Sequence, residues 1–478
     1  MPEIRAAGHR AARTLTMLLA MGAPAFLPSC AVGPNYTRPS VVVPETTRGQ
    51  TAPADPASLA DLPWWEVFQD PALHTLIAEA LAQNHDLRAA AARVESARNL
   101  VVVARADMFP QVGYEGAAAR QRSPVIIGAS NPTFNAFLGA FNLAWEIDVW
   151  GRIRRATEAA RADFFNAEDV RRGVLLTLVS DVAENYFDLI ALDRQLDITH
   201  ATVATFQHTL DLFTHRYEGG VGTLLEVSRA KAALTDAEAN IPDLERQIVI
   251  KENQLCVLLG REPGTITRGN TLGQQPLTPD VPVGLPSQLL ERRPDVLAAE
   301  QAVVAANADV GVALASFFPR FGLTSLYGGQ SSELENLVKG AGNAWAVGGS
   351  LTGPLFQGGR LLANYRAASA QLDEAIQHYE QVALQAFSEV SDSLVTHEKL
   401  KGIRVKHEET VEQLGISVAL SLQRYNDGIA NYFEVLEAQQ QFFPAELNLA
   451  QTQRDELVAI VALYRALGGG WQQADRVS

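Results

Sequence analysis

The chain of 478 residues contains the same segment twice, and this duplication limits its possible folds more than any other feature. Residues 216–260 align with residues 424–468 without a gap, and 13 of the 45 positions are identical. Nearer the start, Asp86 and Asp295 lie in two further matching runs that are offset by 209 residues. Repeated supersecondary units adopt the same local fold. We therefore predict two repeats, each with a helix, a β-hairpin, a long helix and a shorter helix.

The repeats define the predicted organisation of the whole chain. A leader and an extended segment precede the first repeat, and a linker separates the two. The predicted parts are a signal peptide (1–29), a lipidated extended segment (30–62), a first repeat (63–269) with a hairpin at about 110–148, a linker (270–284), a second repeat (285–471) with a hairpin at about 319–356, and a C-terminal tail (472–478).

The leader has the features of an export signal. Three arginines precede the apolar run 15–27, which is too short and too interrupted by proline to remain as a membrane-spanning helix. The run ends in Leu-Pro-Ser-Cys, which resembles a bacterial lipobox, although Pro28 departs from the usual small residue. The resemblance implies that Cys30 is lipidated, and Ala31 after it favours the outer membrane. The alternative is a plain signal peptide with an incidental cysteine.

Composition excludes several classes of protein. Acidic residues outnumber basic residues by 54 to 39, which argues against a nucleic-acid partner because such partners select a basic face. Two cysteines exclude a disulfide scaffold or a Cys-rich metal domain. The nine histidines lack metal-ligand spacing, and the glycines at 219–222 lack the Lys-Ser/Thr of a phosphate-binding loop. We expect no catalytic residue, no cofactor and no metal site.

Two segments alternate with a period of two, as strands do. In residues 137–147 and 345–355, apolar side chains face one way and small or polar side chains face the other. This pattern over about ten residues is typical of a transmembrane β-strand, although a soluble sandwich shows it too. After the leader, no stretch has 18 or more apolar residues, so we expect no transmembrane helix in the exported chain and any crossing to be a β-barrel.

Long proline-free segments predict unusually long helices. No proline lies between Pro132 and Pro242 or between Pro354 and Pro444, so residues 150–216 can form one helix of roughly 100 Å. In the second repeat, apolar residues recur at alternating spacings of three and four, which predicts a coiled-coil seam in a closed cylinder of helices. The seam residues are Leu361, Tyr365, Ala368, Leu372, Ala375, Tyr379, Val382 and Ala386.

The number of predicted strands requires several copies of the chain. Four strands cannot close a barrel, because about eight are the minimum. Open strand edges in lipid would leave backbone groups without hydrogen bonds. Three chains would supply twelve strands and twelve full-length helical columns, whereas two would supply eight strands and a plugged core. Counting therefore favours a trimer.

Five motifs are spread along the chain after the leader. They are Cys30–Pro39, Leu290–Asp295, Gly353–Arg360, Tyr425–Gly428 and Leu463–Trp471. With these motifs the chain resembles the outer-membrane factor family of efflux channels, which is TolC-like in fold, and especially its NodT-type lipoprotein branch. The resemblance implies a mixed α/β membrane protein. It would be a homotrimer whose 12-stranded β-barrel continues into a periplasmic α-barrel of 12 helices, with the linker in its equatorial region.

The resemblance also implies a function. The chain would be the exit duct of a tripartite pump, anchored in the outer membrane and extending into the periplasm. A periplasmic adaptor (membrane fusion) protein and an inner-membrane resistance–nodulation–division transporter would supply energy and selection. The duct itself would be a passive, gated channel for small toxic compounds or drugs, and not an enzyme.

Two glycine-containing turns follow the long helices, and the resemblance places them at the periplasmic tips that meet the adaptor. The alternative is that glycine merely permits a positive φ where two helices reverse. The turn residues are Gly220, Val221, Gly222 and Thr223 in the first repeat, and Gly428, Ile429, Ala430 and Asn431 in the second.

The resemblance assigns four further residues to a closed periplasmic aperture. Glu434 and Glu437 would form carboxylate rings that attract cations, with Glu standing where Asp is often found. Tyr425 and Glu226 would link neighbouring helical hairpins by a hydroxyl–carboxylate hydrogen bond. The alternative is that the glutamates belong to a solvated helix face.

Three other functions remain possible on the sequence alone. A type I protein-secretion exit or a metal-efflux duct would keep the fold and change the pump. A lipid-anchored periplasmic coiled-coil scaffold would not cross the membrane, but such a scaffold has no need of apolar hairpins. The content of four methionines weighs against metal efflux.

Overall fold

A computed structural model of the chain describes residues 31–49, 58–122, 133–276, 284 and 286–469. The predicted signal peptide, Cys30 and the C-terminal tail 472–478 lie outside the described residues, as does most of the predicted linker's second half.

Helices dominate the described chain. Both long helices have 67 residues and contain no proline, as the sequence predicts. The helices are α1 (Trp64–Val67), α2 (Pro71–Gln83), α3 (His85–Ala106), α4 (Arg152–Glu218), α5 (Leu224–Leu258), α6 (Pro286–Arg292), α7 (Pro294–Ala315), α8 (Arg360–Asn426) and α9 (Tyr432–Ala466). Single 3-10 turns lie at Leu59–Asp61, Leu272–Gln274, Leu334–Asn336 and Gly340–Gly342.

Three of these helices are absent from the sequence-based prediction. Helices α1, α2 and α6 precede the first predicted helix of their repeat, and they are short. Asp70 begins α2 by accepting hydrogen bonds from the backbone N–H groups of Ala72 and Leu73, and Pro71 occupies the first helical position. An Asp-Pro pair before an apolar run is a helix-start signal that the prediction overlooked.

The four strands form one antiparallel sheet in the order β1 (Gln111–Arg122), β2 (Thr133–Ile147), β3 (Arg320–Ser331) and β4 (Asn343–Thr352). Phe141 lies opposite Tyr327, which lies opposite Trp345, so the large apolar residues share one face. The alternation predicted for both segments is confirmed. The prediction was wrong at one end, because β4 stops before Gly353 and Pro354, and proline lacks the N–H that a ladder needs.

The chain divides into two compact units. One comprises residues 1–36, 100–160 and 305–372, and includes the sheet; the other comprises residues 37–99, 161–304 and 373–478. The second unit holds two clusters of buried apolar side chains. The main core cluster includes Leu73, Ile77, Val182, Tyr186, Leu189, Leu255, Leu259, Val390, Leu463 and Tyr464. The tip cluster consists of Phe206, Phe213, Ala230, Ala233, Leu234, Ala237, Tyr432, Val435 and Leu436.

One described helix, α7, is long and apolar enough to cross a membrane by length and composition. Half of its apolar window is buried within the protein, as in the core helix of a soluble protein, which passes the same test. Glu300 and Asn307 lie in this helix, and Asn307 is buried and donates a hydrogen bond to Pro34 O.

Candidate functional site: the tips of the two helical hairpins

The first turn reverses the chain between α4 and α5. Gly220 adopts φ +76°, a left-handed conformation that glycine takes without strain. The carbonyl of Arg216 accepts hydrogen bonds from the N–H groups of Val221 and Gly222, both at 2.9 Å. A Cβ at Gly222 would lie 2.9 Å from the Tyr217 nitrogen, so glycine permits this close approach. The two bonds satisfy a carbonyl that the helix end would leave unpaired.

The second turn, between α8 and α9, has the same backbone. Gly428 adopts φ +70°, and the Arg424 carbonyl accepts hydrogen bonds from Ile429 N–H at 2.9 Å and Ala430 N–H at 3.2 Å. Ala430 stands where the first turn has Gly222, and its hydrogen bond is the longer one. Both predicted turns therefore lie at helix reversals, and the glycines permit positive φ there.

The caps of the following helices differ between the two turns. Thr223 and Glu226 form a capping box, in which the Glu226 carboxylate accepts from Thr223 N–H at 2.7 Å and from its hydroxyl at 3.0 Å. In the second turn, Asn431 Oδ1 accepts from Phe433 N–H at 2.9 Å, and no capping box closes. The Glu226 carboxylate is therefore committed to its own turn.

Within one chain, Tyr425 contacts Arg216, and its link to Glu226 between neighbouring hairpins of different copies stays a prediction. Its hydroxyl accepts a hydrogen bond from Arg216 Nη1 at 2.6 Å, and the guanidinium carbon lies 5.7 Å from the centre of the Tyr425 ring. Within one chain the structure thus pairs Tyr425 with Arg216, and Glu226 with Thr223. The sequence reasoning missed Arg216. A sequence signal for Arg216 was available. Arg216 stands directly before Tyr217, as Arg424 stands before Tyr425 in the other repeat.

The two predicted aperture carboxylates have unequal surroundings. Glu434 and Glu437 are both exposed on the first turns of α9. Glu434 forms an ion pair of 3.3 Å with Arg424, whose guanidinium is also half exposed. Glu437 has no hydrogen bond or ion pair within the part of the chain that the structure describes. The negative charge of Glu434 is therefore partly offset inside one chain, and that of Glu437 is not.

Aromatic side chains join the two hairpins beneath the turns. Tyr432 packs edge-on against Phe213 at 4.5 Å and against Tyr425 at 4.8 Å. Its hydroxyl lies 2.7 Å from the hydroxyl of Thr209, and burial raises the pKa of Tyr432 above its ordinary value. This contact holds the first turn of α9 against α4.

Comparisons with known proteins decide the family. The sequence model described as "Outer membrane efflux protein" matches residues 76–261 and 285–469, which covers most of the chain in two blocks. The chain belongs to this family.

Individual relatives agree with that assignment. The chain is 33% identical over 455 residues to outer membrane protein OprJ of Pseudomonas aeruginosa, covering 94% of each chain. It is 31% identical over 452 residues to cation efflux system protein CusC of Escherichia coli, covering 94% of this chain and 97% of CusC. The solved outer-membrane channel OprN superposes with a TM-score of 0.87 at 30% identity, covering 93% of this chain and 100% of OprN.

As a member of the outer membrane efflux protein family, the chain is an outer-membrane efflux component that extends into the periplasm. This confirms the resemblance that the sequence motifs indicated, together with the duplicated fold of long helices and strands. The roles of the aperture, tip and lipid residues are not tested by the relatives and remain predictions.

Both tips of this efflux protein expose apolar side chains. Arg229 of α5 lies over the ring of Phe433 of α9, with 5.0 Å between its guanidinium carbon and the ring centre. Half of the Phe433 side chain is exposed. Four further apolar side chains at the tips are each more than half exposed, namely Val221, Leu224, Leu225 and Ile429.

A buried arginine in the sheet-containing unit binds the N-terminal segment 31–36 by hydrogen bonds. Arg155 donates to Asn35 Oδ1 at 2.7 Å and to the carbonyls of Val32 and Gly33 at 3.4 Å. Its side chain is only 5% exposed. Three acceptors from one short segment, all on one guanidinium, fix the position of that segment.

Glycines allow the segment to approach closely. A Cβ on Gly33, which has φ +102°, would lie 2.6 Å from Gly311 Cα. A Cβ on Gly151 would lie 2.7 Å from Ala31 Cβ. The residue that follows Cys30 is therefore held beside the end of β2, although Cys30 itself lies outside the described residues.

A buried carboxylate that the sequence reasoning missed connects α2, α4 and the linker. The Asp70 side chain accepts hydrogen bonds from the Tyr186 hydroxyl (2.9 Å), Gln275 Nε2 (2.7 Å) and Asn270 N–H (3.0 Å), besides capping α2. Burial by itself raises the pKa of Asp70, but the hydrogen bonds from Gln275, Tyr186 and the backbone hold that pKa below its ordinary value. Asp70 is therefore charged at neutral pH.

No cluster of three or more His, Cys, Asp or Glu side chains suited to a metal ion occurs within the described ranges.

Proposed function

We propose that three copies of this chain form a gated exit duct in the outer membrane for small toxic compounds. A periplasmic adaptor and an inner-membrane resistance–nodulation–division transporter would deliver the compounds to the duct. The duct would bind no cofactor and catalyse no reaction. The observation that carries the proposal is the four-stranded sheet with an exposed apolar face, in a member of the outer membrane efflux protein family.

The sheet supports a barrel made of several chains. Within the described sheet, β1 and β4 each pair with a single neighbour, so each presents one open edge. Val112, Tyr114, Phe141 and Trp345 share the apolar face and are mostly exposed. An open edge beside an apolar face is costly both in water and in lipid. Pairing β1 of one copy with β4 of the next would satisfy the edges, and lipid would cover the face.

The tips support a closed resting state. Arg216 holds Tyr425, and Thr209 holds Tyr432, so the second hairpin is fastened to the first within each chain. Around a threefold axis, Glu434 and Glu437 would become rings of carboxylates. Because Arg424 partly offsets Glu434, Glu437 would contribute most to the attraction of cations.

The exposed apolar residues of both turns support adaptor docking. Val221 and Ile429 are each about 70% exposed at matching positions of the two repeats. A docking surface of this kind needs apolar side chains that no part of the chain itself covers. We assign the adaptor contact to the eight turn residues 220–223 and 428–431.

The seat for segment 31–36 supports a lipid anchor at Cys30. Arg155 fixes the segment beside the end of the membrane-facing strand β2, where an acyl chain on Cys30 would reach lipid. The substitution Cys30→Ser should abolish acyl labelling and leave some protein in the outer membrane. Complete release of this variant into the periplasm would contradict the barrel.

The duct itself is tested by mass and conductance. Purified protein in detergent should have the mass of a trimer, and a stable monomer would contradict the architecture.

In planar bilayers, Glu434→Ala with Glu437→Ala should weaken the preference of the duct for cations and its block by divalent ions. Tyr425→Phe with Glu226→Ala should raise basal conductance, because this pair removes the hydroxyl that accepts from Arg216 and the predicted link between neighbouring hairpins. If the first pair keeps the selectivity and block of the unaltered protein, the carboxylates do not line the aperture.

Metal efflux is the second candidate, because the relative CusC is described as a cation efflux protein. Export assays with the pump partners, comparing metal cations with organic dyes, would separate the two. Export of metal ions alone would replace the assignment to organic compounds.

A further inference from the structure

A cavity of about 450 Å³ lies where the end of α9 meets the start of α7. The two long helices, α4 and α8, form its sides, and all of its lining residues belong to the second compact unit. Leu176, Pro294 and Val461 are buried and form an apolar part of the lining. Pockets of this volume hold small organic molecules in many proteins.

Two of the five sequence motifs meet at this cavity, and neither belongs to the tips, the aperture or the lipid anchor. They are Leu290–Asp295 and Leu463–Trp471. Arg293 of the first motif is buried and donates a hydrogen bond to the Ala466 carbonyl of the second at 3.0 Å. Asp295 and Glu389 each lie 2.7 Å from the Arg293 guanidinium. The positive charge of Arg293 is therefore more than balanced where the two helices join.

Both long helices carry a pair of acidic residues beside this junction, at positions that match between the repeats. The pairs are Asp181 with Glu184 in α4, and Glu389 with Asp392 in α8. The first acid of each pair has an arginine partner. Arg465 lies 3.9 Å from Asp181, and Arg293 lies 2.7 Å from Glu389. One acid on each long helix is therefore paired with a cation from the junction.

The second acid of each pair has no cationic partner in the described chain. Glu184 has no ion pair or hydrogen bond there, and Asp392 accepts only from Ser388 Oγ at 3.4 Å. Both carboxylates are exposed and line the cavity. The charged residues of the whole lining are the acids Glu184, Asp295, Glu389 and Asp392 and the bases Arg293 and Arg465. The cavity therefore carries an excess of negative charge.

The cavity lies on the side of α4 that faces away from the Asp70 network. Thr177, Ser180 and Glu184 line it and follow one another at spacings of three and four, so they form one stripe. Glu184 lies about 160° around the helix from Tyr186, which binds Asp70. A molecule in the cavity therefore leaves the hydrogen bonds of Asp70 intact.

We propose that this cavity binds organic cations that have an apolar body, and that exported compounds of this class occupy it on their way through the duct. The proposal rests on the proposed function, because it names a class of compound for the duct. The apolar body packs against Leu176 and Val461, and the positive charge lies between Glu184 and Asp392. Anions are repelled by the same carboxylates.

The lining favours an organic cation over a metal ion. A bound metal ion such as Ca²⁺ needs about six or more oxygen ligands at about 2.3–2.6 Å. The described chain has no group of three or more His, Cys, Asp or Glu side chains that could hold a metal ion. Apolar side chains between the two acidic walls contribute nothing to a metal shell, whereas they cover the body of an organic molecule.

Removing the two unpaired charges tests the site. Glu184→Gln with Asp392→Asn keeps the size of both side chains and changes only exposed positions, so the protein should fold. The matched control is Glu238→Gln with Asp236→Asn, which removes the same charge from exposed positions of α5 outside the cavity. Equal mass and thermal unfolding of the purified proteins establish that both variants are intact.

Binding is measured with ethidium, a planar aromatic cation, by fluorescence anisotropy in a non-ionic detergent. We expect saturable binding that is about tenfold weaker in the cavity variant and within about twofold of the unaltered protein in the control. High salt should reduce this difference, because it screens exposed charges. Equal affinity in all three proteins, equal weakening in the control, or no saturable binding to the unaltered protein would overturn the site.

Arg465→Gln should change the affinity in the opposite direction. It removes the cation that partners Asp181 beside the cavity, so ethidium should bind about threefold more tightly. Unchanged or weaker binding, or displacement of ethidium by the anionic dye fluorescein, would show that the carboxylates do not set the affinity.

The site and the duct can fail separately. If the protein binds ethidium as expected but conducts no ions in planar bilayers, the duct is wrong and the cavity remains a cation site. If it conducts ions but binds no ethidium, the duct stands and this proposal is wrong.

Discussion

The two repeats share their turns and differ in the side chains around them. Both long helices end at a glycine with positive φ, and in both the carbonyl of an arginine closes the turn. In the first repeat, Glu226 caps its own helix, whereas its counterpart Glu434 reaches back to Arg424. The two turns therefore have the same backbone geometry and different side-chain contacts.

Matching positions of the two repeats also differ in polarity. Tyr186 of the first repeat is buried against Asp70, whereas Leu394 occupies the matching position of the second. Arg155 seats the N-terminal segment, and its counterpart is Ala363. At these two positions the first repeat carries a polar contact, and the second repeat has an apolar side chain. The second repeat carries the exposed carboxylates Glu434 and Glu437 next to its turn.

The largest expected effect comes from removing the buried carboxylate of the first repeat. Asp70→Ala leaves the Tyr186 hydroxyl and Gln275 without their partner, and we expect a loss of about 3 kcal/mol in the free energy of unfolding. Thermal unfolding in detergent measures it. Asp243→Ala, at an exposed position, is the control and should leave the free energy of unfolding almost unchanged. If the two variants lose the same free energy of unfolding, the hydrogen bonds of Asp70 do not stabilise the fold.

The same carboxylate should make stability depend on acid. Since the pKa of Asp70 is lower in the folded chain than in the unfolded one, its contribution is complete above the unfolded pKa and is lost as the pH falls through the folded one. The stability of Asp70→Ala should therefore fall less between neutral pH and about pH 3 than that of the unaltered protein. Parallel pH profiles would contradict this assignment.

A smaller and local effect is expected at the N-terminal seat. Arg155→Ala removes the donor to three acceptors, and we expect residues 31–36 to detach at a cost of about 2 kcal/mol. Limited proteolysis near the N-terminus reports the detachment. Arg360→Ala, at the exposed start of the other long helix, should leave the cleavage rate unchanged. An uncleaved segment in Arg155→Ala would show that other contacts hold it.

The two helix caps give a direct comparison at the tips. Thr223→Ala and Asn431→Ala should each cost about 1 kcal/mol, because each removes a side-chain acceptor from a helix start. Thr223→Ala should increase amide exchange at Glu226, whose N–H donates to the hydroxyl, while the N–H of residue 223 keeps its bond to the Glu226 carboxylate. Asn431→Ala should instead increase exchange at Phe433. Identical exchange patterns at the two turns would mean that the capping box is not formed in solution.

The smallest effect should come from the exposed ion pair. Arg424→Ala breaks its pair with Glu434, and since both groups are half exposed we expect a change of about 0–0.5 kcal/mol in stability. The first-repeat counterpart, Arg216→Ala, should cost more because Arg216 is less exposed and binds Tyr425 at 2.6 Å. A larger loss for Arg424→Ala would reverse the comparison between the repeats.

Much of the fold follows from patterns that repeat along the sequence. The long helices were predictable because 67 residues without proline, with apolar side chains at spacings of three and four, have no other stable arrangement. Ala368, Tyr379 and Ala386 of the predicted seam are buried, and its other five residues are half-buried within one chain. The short helices α1, α2 and α6 were missed because their periodicity covers too few residues.

The site was less predictable than the fold. The turns were found because glycine at matching positions marks a helix reversal. The contacts that Tyr425 and Glu226 make within one chain were not found, because a carboxylate near a helix start can either cap that helix or reach a neighbour. Within one chain the Glu226 carboxylate accepts from Thr223 N–H at 2.7 Å. A link to another copy stays a prediction.

The sequence by itself determined the duplication, the element types and the family, because these depend on periodicity, on turn residues and on motifs that are local in the chain. The tertiary structure decided which polar groups meet. Asp70 with Gln275, Arg155 with Asn35, and Arg216 with Tyr425 are separated by 205, 120 and 209 positions. No local pattern encodes such pairs, because a hydrogen bond between distant residues depends on how whole helices pack, and packing is set by the summed burial of many side chains.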